Sequence, residues 1–310
     1  MSASPESKSA VGHLAIVANP TSGHGAGQRV LGAATAVLRG RGVSHEVLTA
    51  DTREQSAQLA AKAAERGADA IVVVGGDGTV QTVLRAVHNN RLPLGIIPAG
   101  SGNDAARMLD IPLDDVARAV AIVLDGNTRR IDLGRASFSD GTVDLFCTIA
   151  ATGFDAAVAE RARDLSWPSG RALFALAALR QLPKLNRHHY QVRVDDVEVE
   201  TDAAFTAIAN GPTYGAGMRI APHASADDGV FDIVMGSHPR HLPRLSLLRG
   251  LAQVLYSRVE KNPLFKDMQG REVDLYCDPP ADVSLDGDIV GSLPTVFDVI
   301  PGAIDVYAPH

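Results

Sequence analysis

The 310-residue sequence has little cysteine, little lysine and no long apolar run, and each shortage excludes something. Cys147 and Cys277 are the only cysteines, too few for a disulfide framework, so a reducing compartment is expected. No run of about 18 apolar residues occurs, which argues against a bilayer-spanning helix. Met1 to Gly12 is small and polar and lacks the apolar centre of a secretory signal. The expected location is therefore cytoplasmic. A net charge of -7 argues against nucleic acid as a partner, while leaving room for a local basic face against anionic lipid. Lysine is confined to Lys8, Lys62, Lys184, Lys261 and Lys266.

The length exceeds one typical domain, so two are expected. The first half alternates strand and helix. His13 to Asn19, Ser44 to Thr49, Ala70 to Val74 and Leu94 to Ile97 are short apolar runs of buried-strand type. Helical spacing follows them over Ala26 to Arg39, over Arg53 to Arg66, from Gly78 to about His88, and after Asp104. Such alternation predicts an open parallel α/β sheet. From about Ile131 the pattern becomes strand after strand, over Thr142 to Ala151, Tyr190 to Val199, Thr201 to Asn210, Val230 to Met235, Arg271 to Tyr276, Ala281 to Leu285 and Phe297 to Tyr307. This predicts an antiparallel β domain, with helices only near Ala156 to Leu185 and His241 to Arg258. The expected division is 1–132 joined by 295–310, and 133–294.

Three glycine turns follow predicted strands: Gly23 to Gly27, Gly75 to Thr79 and Gly100 to Asp104. Ligands bind at the carboxyl ends of strands in such sheets, and glycine lets the backbone approach a phosphate. One such turn is what any tight connection needs; three at one sheet edge favour a nucleotide. A P-loop is excluded, since no Gly-Lys pair occurs. Dinucleotide binding stays open as an alternative: residues 23–27 read Gly-x-Gly-x-Gly and Asp51 ends the second strand, but Gln28 stands where the fingerprint wants glycine.

Val74-Gly-Gly-Asp-Gly-Thr79 and Leu94-Gly-Ile-Ile-Pro-Ala-Gly-Ser-Gly-Asn-Asp-Ala-Ala106 resemble the catalytic domain of diacylglycerol and sphingosine kinases. The resemblance continues through Ile131-Asp-Leu-Gly134, Ala151-Thr-Gly-Phe-Asp155, Asn210-Gly211, Ala221-Pro222, Asp227 to Asp232 and Leu285-Asp-Gly-Asp288, over about residues 13 to 308. Among these kinases it is most like the soluble bacterial diacylglycerol kinases of actinobacterial type. NAD kinases and phosphofructokinases carry similar Gly-Gly-Asp-Gly loops, and the C-terminal marks set this chain apart from them.

The resemblance implies an ATP- and Mg²⁺-dependent transfer to diacylglycerol, giving phosphatidic acid, with ATP in a cleft between an α/β domain and a β-sandwich. By it Gly75, Gly76, Asp77, Gly78, Thr79, Val80, Gln81 and Thr82 would cradle the phosphates. Asn19, Thr49, Gly100, Ser101 and Asn103 would supply further nucleotide contacts. Asp77 and Asp104 would be tied to Mg²⁺-ATP, Asp288 would be the general base and Asp286 would support it. A second, structural Mg²⁺ would take Asp228 and the carbonyls of Ser225 and Val230. Without the resemblance, Asp286-Gly287 and Asp228-Gly229 read as ordinary turns. Two departures stand out. The family commonly has Asn-Glu where Gln81-Thr82 stand, and Glu where Asp288 stands.

Arg161, Arg163, Arg171, Arg180, Lys184 and Arg187 interleave with apolar residues from Leu165 to Leu182, so this segment could rest on the inner face of the cell membrane. The plainer reading is a helix with one buried face. The histidines show no zinc-ligand spacing. Other acceptors (monoacylglycerol, ceramide or a sphingoid base) remain open, as does a non-catalytic nucleotide-binding regulator. A homodimer is suggested by the bacterial relatives alone.

Overall fold

The computed structural model describes residues 11–165, 167–168, 170–237 and 265–309. The helix expected over His241 to Arg258 lies outside them. The chain forms two compact units. The first takes the described residues up to Gly100, Leu109–Arg129 and the stretch from Ile304; the second takes Ser101–Met108 and Arg130–Ala303. The crossing falls at 129–130 rather than 132–133, and 101–108 go with the second unit.

In the first unit β1 (Leu14–Ala18), β2 (His45–Thr49), β3 (Ala70–Gly75) and β4 (Leu94–Pro98) pair in parallel, in the order β4-β3-β1-β2. Every residue of β1, β3 and β4 is buried, which is why they read as unbroken apolar runs; β2 is the half-exposed edge. The connections are α1 (Ser22–Gly40), α2 (Arg53–Glu65) and α3 (Asp77–Asn90). Val80, Val83, Leu84 and Val87 give α3 its buried face at helical spacing. Truncating fully buried Leu84 to alanine would cost about 2–5 kcal/mol. One expectation is corrected. α1 begins at Ser22, not Ala26, so the glycine run forms its irregular first turns, with Gly23 and Gly25 at φ +57° and +90°. The short α4 (Asp104–Met108) precedes α5 (Val116–Asp125), which opens on an Asp115 cap and closes at Gly126 in the left-handed region.

The chain then passes along β5 (Thr128–Phe138) into the second unit, with β6 (Val143–Phe146) and β7 (Ile149–Gly153). The expected single helix is two, α6 (Phe154–Arg163) and α7 (Arg171–Gln181). There follow β8 (His188–Val194), β9 (Val197–Ala209), β10 (Thr213–Tyr214), β11 (Met218–Arg219) and β12 (Phe231–Ser237). The last strands are β13 (Phe265–Gly270), β14 (Glu272–Asp278), β15 (Asp282–Leu285), β16 (Asp288–Ser292) and β17 (Thr295–Tyr307), whose end lies in the first unit. Neighbours run β16-β15-β7-β9-β8-β14-β17 and are antiparallel throughout. The strand expected over Thr142 to Ala151 is interrupted at Cys147–Thr148. Inside the unit Phe146 stacks on Phe231 at 5.6 Å and meets Phe297 edge-on at 6.4 Å. A second apolar layer packs Phe154, Val158, Leu173 and Ala177 of α6 and α7 with Ala204, Phe205 and Ala207 of β9. This makes the C-terminal part an antiparallel β-sandwich, which follows an N-terminal α/β unit in the chain.

Candidate active site

The first unit gathers its features at the carboxyl edge of the parallel sheet. β1 continues to β2 on one side and its other neighbour is β3, so the order reverses beside β1, where such sheets leave a crevice. Asn19 follows β1, its N–H donating to Val74 O at 3.3 Å, and Gly75 and Gly76 end β3. Ala99 after β4 donates to Gly75 O at 2.8 Å. The glycine turns converge closely. A Cβ on Gly23 would stand 2.2 Å from Ala99 O, and one on Gly76 would stand 2.9 Å from Gly100 Cα. No other residue fits at either place. Gly76 also caps α3, whose N-terminus is the positive, anion-attracting end of its dipole.

Around that helix start, Asp77 supplies the first-turn acid, and Thr79 packs so close that a Cβ on Gly75 would meet its hydroxyl at 2.5 Å. Val80 offers no free polar group, since its side chain is buried and its N–H donates to Gly76 O. Gln81 is buried with its Oε1 accepting from the Arg53 guanidinium. The Thr82 hydroxyl donates to Gly78 O at 2.6 Å. Gln81 and Thr82 are thus bonded within their own unit, which is what stands where the family pattern has an amide and an acid. Asn19 Oδ1 accepts from the N–H and hydroxyl of Thr21, so any ligand contact from it must use Nδ2. Thr49 is exposed at the end of the edge strand.

The second unit holds the other acids, mostly buried and bonded to backbone. Asp104 is 5 % exposed; its Oδ2 accepts from Ala216 N–H at 2.9 Å and its Oδ1 from Gly217 N–H at 2.7 Å. Burial pushes its carboxyl up, against the pull of those bonds. Asn103 beside it is nearly buried at φ +56°. Asp132 accepts from Gly302 N–H at 2.7 Å and Gly229 N–H at 2.8 Å, tying two distant loops to β5. Sequence reasoning gave it no role, although it sits in the Ile131-Asp-Leu-Gly134 mark. Asp155 was passed over too. Burial pushes its carboxyl up to about 7, against the Tyr214 hydroxyl donating to it at 3.3 Å.

Asp286 and Gly287 form the two-residue turn between β15 and β16, both at positive φ. The Asp286 carboxylate turns inward and accepts from the N–H groups of Cys147, Thr148 and Ile149 and from the Thr148 hydroxyl, at 2.6–3.1 Å. That engagement explains the break between β6 and β7. Asp288 begins β16 and points instead to α6, where its Oδ1 lies 3.1 Å from Arg163 Nη1, with 15 % of its side chain exposed. One acid of the pair turns into the fold; the other, partly buried, meets a cation on α6.

In the 225–230 loop the Ser225 hydroxyl donates to Asp227 at 2.5 Å, and Asp228 Oδ1 accepts from Val230 N–H at 3.2 Å. Among the described residues no three His, Cys, Asp or Glu side chains gather to hold a metal ion. A cation at Asp228 would therefore rest on one carboxylate, carbonyls and water, a donor set suited to Mg²⁺. Three of the six residues of the basic segment pair with acids. Arg161 pairs with Asp164, Arg163 with Asp288 and Arg187 with Asp202, and Arg171 donates to backbone carbonyls. Trp167 at 80 % and Leu179 at 48 % are its exposed apolar residues. No helix among the described residues is long and apolar enough to cross a membrane.

The chain thus carries a parallel α/β unit with a glycine-rich edge, followed by an antiparallel β-sandwich. Residues 13–136 match the diacylglycerol kinase catalytic domain, and residues 148–308 match the YegS C-terminal NAD kinase beta sandwich-like domain. The chain is 34% identical over 311 residues to a diacylglycerol kinase of Mycobacterium tuberculosis (strain ATCC 25618 / H37Rv), covering 100% of this chain and 99% of that one. A diacylglycerol kinase of Staphylococcus saprophyticus is 25% identical over 300 residues, covering 95% of each. The fold matches a solved structure of a diacylglycerol kinase from Bacillus anthracis str. Sterne with a TM-score of 0.71 at 18% identity, covering 96% and 97% of the two chains. The chain belongs to the diacylglycerol kinase catalytic-domain family and is a lipid kinase. The dinucleotide-binding alternative is thereby set aside.

Proposed function

We propose that this lipid kinase transfers the γ-phosphoryl group of ATP, with Mg²⁺, to the free hydroxyl of diacylglycerol, giving phosphatidic acid. The carrying observation is the convergence of Gly23, Gly76 and the Ala99–Gly100 turn at distances no side chain could share. Backbone N–H groups at such turns and at the α3 N-terminus are the donors phosphate oxygens need, so a triphosphate can be held without a P-loop lysine. Gly75 to Thr79 would carry most of this cradle, with Asn19 Nδ2, Thr49, Gly100, Ser101 and Asn103 around it. Asp77 would share Mg²⁺, which when bound would neutralise charge developing on the phosphoryl oxygens.

Asp288 is the base. As the lipid oxygen attacks the γ-phosphorus, its proton passes to an Asp288 oxygen; the bond to the β-phosphate breaks and ADP leaves with that electron pair. A loose transition state keeps the hydroxyl proton in place until late, so a weak base is enough. Arg163 holds the carboxylate in orientation. Asp286 acts by pinning the hairpin that carries Asp288. A second Mg²⁺ at Asp228 with the Ser225 and Val230 carbonyls would brace a loop that Asp132 already holds through Gly229. The protein would work in the cytoplasm at the inner face of the membrane, where its substrate lies.

The test is γ-labelled ATP with Mg²⁺ and mixed micelles offering diacylglycerol, monoacylglycerol, ceramide and sphingosine in parallel. Label in phosphatidic acid that disappears on removing Mg²⁺ is the expected result. Label only in another lipid overturns the acceptor, and no labelled lipid despite ATP binding overturns the catalytic reading in favour of a regulator.

A further inference from the structure

Gly215, Ala216 and Gly217 stand in succession at φ +57°, +69° and +88°. A left-handed stretch containing alanine is disfavoured on its own, so its surroundings must hold it. Asp104 holds it from the N–H side through Ala216 and Gly217. Arg171, the first residue of α7, holds it from the carbonyl side: its Nε donates to Ala216 O at 3.2 Å and its Nη2 to Gly217 O. Successive N–H groups in such a turn form a concave anion site, and the buried Asp104 carboxylate is its anion. Arg107 joins this turn to the preceding loop. Its Nε donates to Gly102 O at 3.1 Å, and a Cβ on Gly217 would stand 3.2 Å from both Arg107 Cδ and Arg171 Nη2. Gly217 is wedged between two arginines, one of which reaches back to the bend at Gly102–Asn103.

We propose that Asp104, Arg107 and Arg171 are positioning residues that lock the Gly215–Gly217 turn and use it as a backstop for the Gly102–Asn103 bend of the nucleotide site. Asp104 thereby gains a structural role, each of its oxygens accepting a backbone N–H. Arg171, which the sequence places in a basic surface segment, becomes part of the same device. The role of the backstop in binding rests on the nucleotide reading above; the lock itself does not.

The experiment compares wild type with Arg171→Ala, Arg171→Lys and Gly217→Ala, by amide hydrogen exchange at residues 216 and 217 and by kinetics varying ATP and diacylglycerol separately. Losing a charge-assisted bond should speed exchange in Arg171→Ala about tenfold and raise KM for ATP by a similar factor, with KM for lipid changed by less than about twofold. Lysine, without the planar fork, should recover only part of this. Gly217→Ala, whose added methyl group would press on both arginines, should raise KM for ATP with Arg171 itself retained. Unchanged exchange in Arg171→Ala overturns the lock. Faster exchange with an unchanged KM for ATP overturns the backstop. Failure of wild type to bind ATP in calorimetry would overturn the nucleotide reading and the backstop with it, while the exchange result still decides the lock.

Discussion

The two units shape their loops by opposite means. In the first, the edge of the sheet is shaped by missing side chains: Gly23, Gly76 and Gly100 bring three backbone segments together. In the second, buried acids do the shaping. Asp104, Asp132 and Asp286 each accept from two or more backbone N–H groups and pin loops far apart in sequence. Of the two acids in the β15–β16 hairpin, Asp288 instead meets a side chain, the Arg163 guanidinium. A carboxylate in this family motif is therefore no guarantee of chemistry. Whether it acts on substrate depends on how many of its oxygens the backbone has already taken.

The sharpest way to break this comparison is to neutralise the two hairpin acids separately. Asp288→Asn should lower kcat by about 10²–10⁴, the usual contribution of a general base, with little change in denaturation midpoint. Asp286→Ala should instead cost about 3 kcal/mol in urea unfolding, because it strands several buried N–H groups. If Asp286→Ala kept full stability while losing activity, Asp286 would belong with the chemistry and the contrast would fail.

Asp155 offers a next, smaller test through pH. Its folded pKa, raised to about 7 by burial, lies above the unfolded value. Between those two values the native state holds a proton that the unfolded chain has released, so this group's contribution is fully present below pH 4 and lost as pH rises to 7. Asp155→Asn removes that loss. The stability of the variant relative to wild type should rise between pH 4.5 and 8 by on the order of 3 kcal/mol in chemical denaturation. A difference independent of pH would mean that Asp155 is ionised in the fold.

The alternation of strands and helices was legible because β1, β3 and β4 are buried on both faces and so read as plain apolar runs. The glycine turns were legible for the same physical reason that they work, since close backbone approach admits only glycine. The start of α1 was misjudged because glycine signals a turn, whereas here it forms irregular first turns of a helix. The roles of the acids were not legible. Asp286 and Asp288 flank one glycine, and only the fold decides which turns toward residues 147–149 and which toward α6. Nor could spacing show that Arg171 reaches the carbonyls of residues 216 and 217, a contact 45 positions away.

Arg163 gives the smallest effect and the finest discrimination. Its side chain is 57 % exposed while that of Asp288 is 15 % exposed, so the pair belongs to the weak, screened class of surface ion pairs. Arg163→Gln should therefore change kcat by only about two- to fivefold, corresponding to about 0.5–1 kcal/mol, with stability nearly unchanged. Raising ionic strength should bring wild type toward the variant, because screening weakens the same contact, while the variant itself responds less. A loss as large as that of Asp288→Asn would mean that Arg163 touches the transferring phosphoryl group rather than merely orienting the base. No loss at all, with the salt response intact, would show that β16 alone orients Asp288, leaving the acid-pinned framework of the second unit as the whole of its positioning machinery.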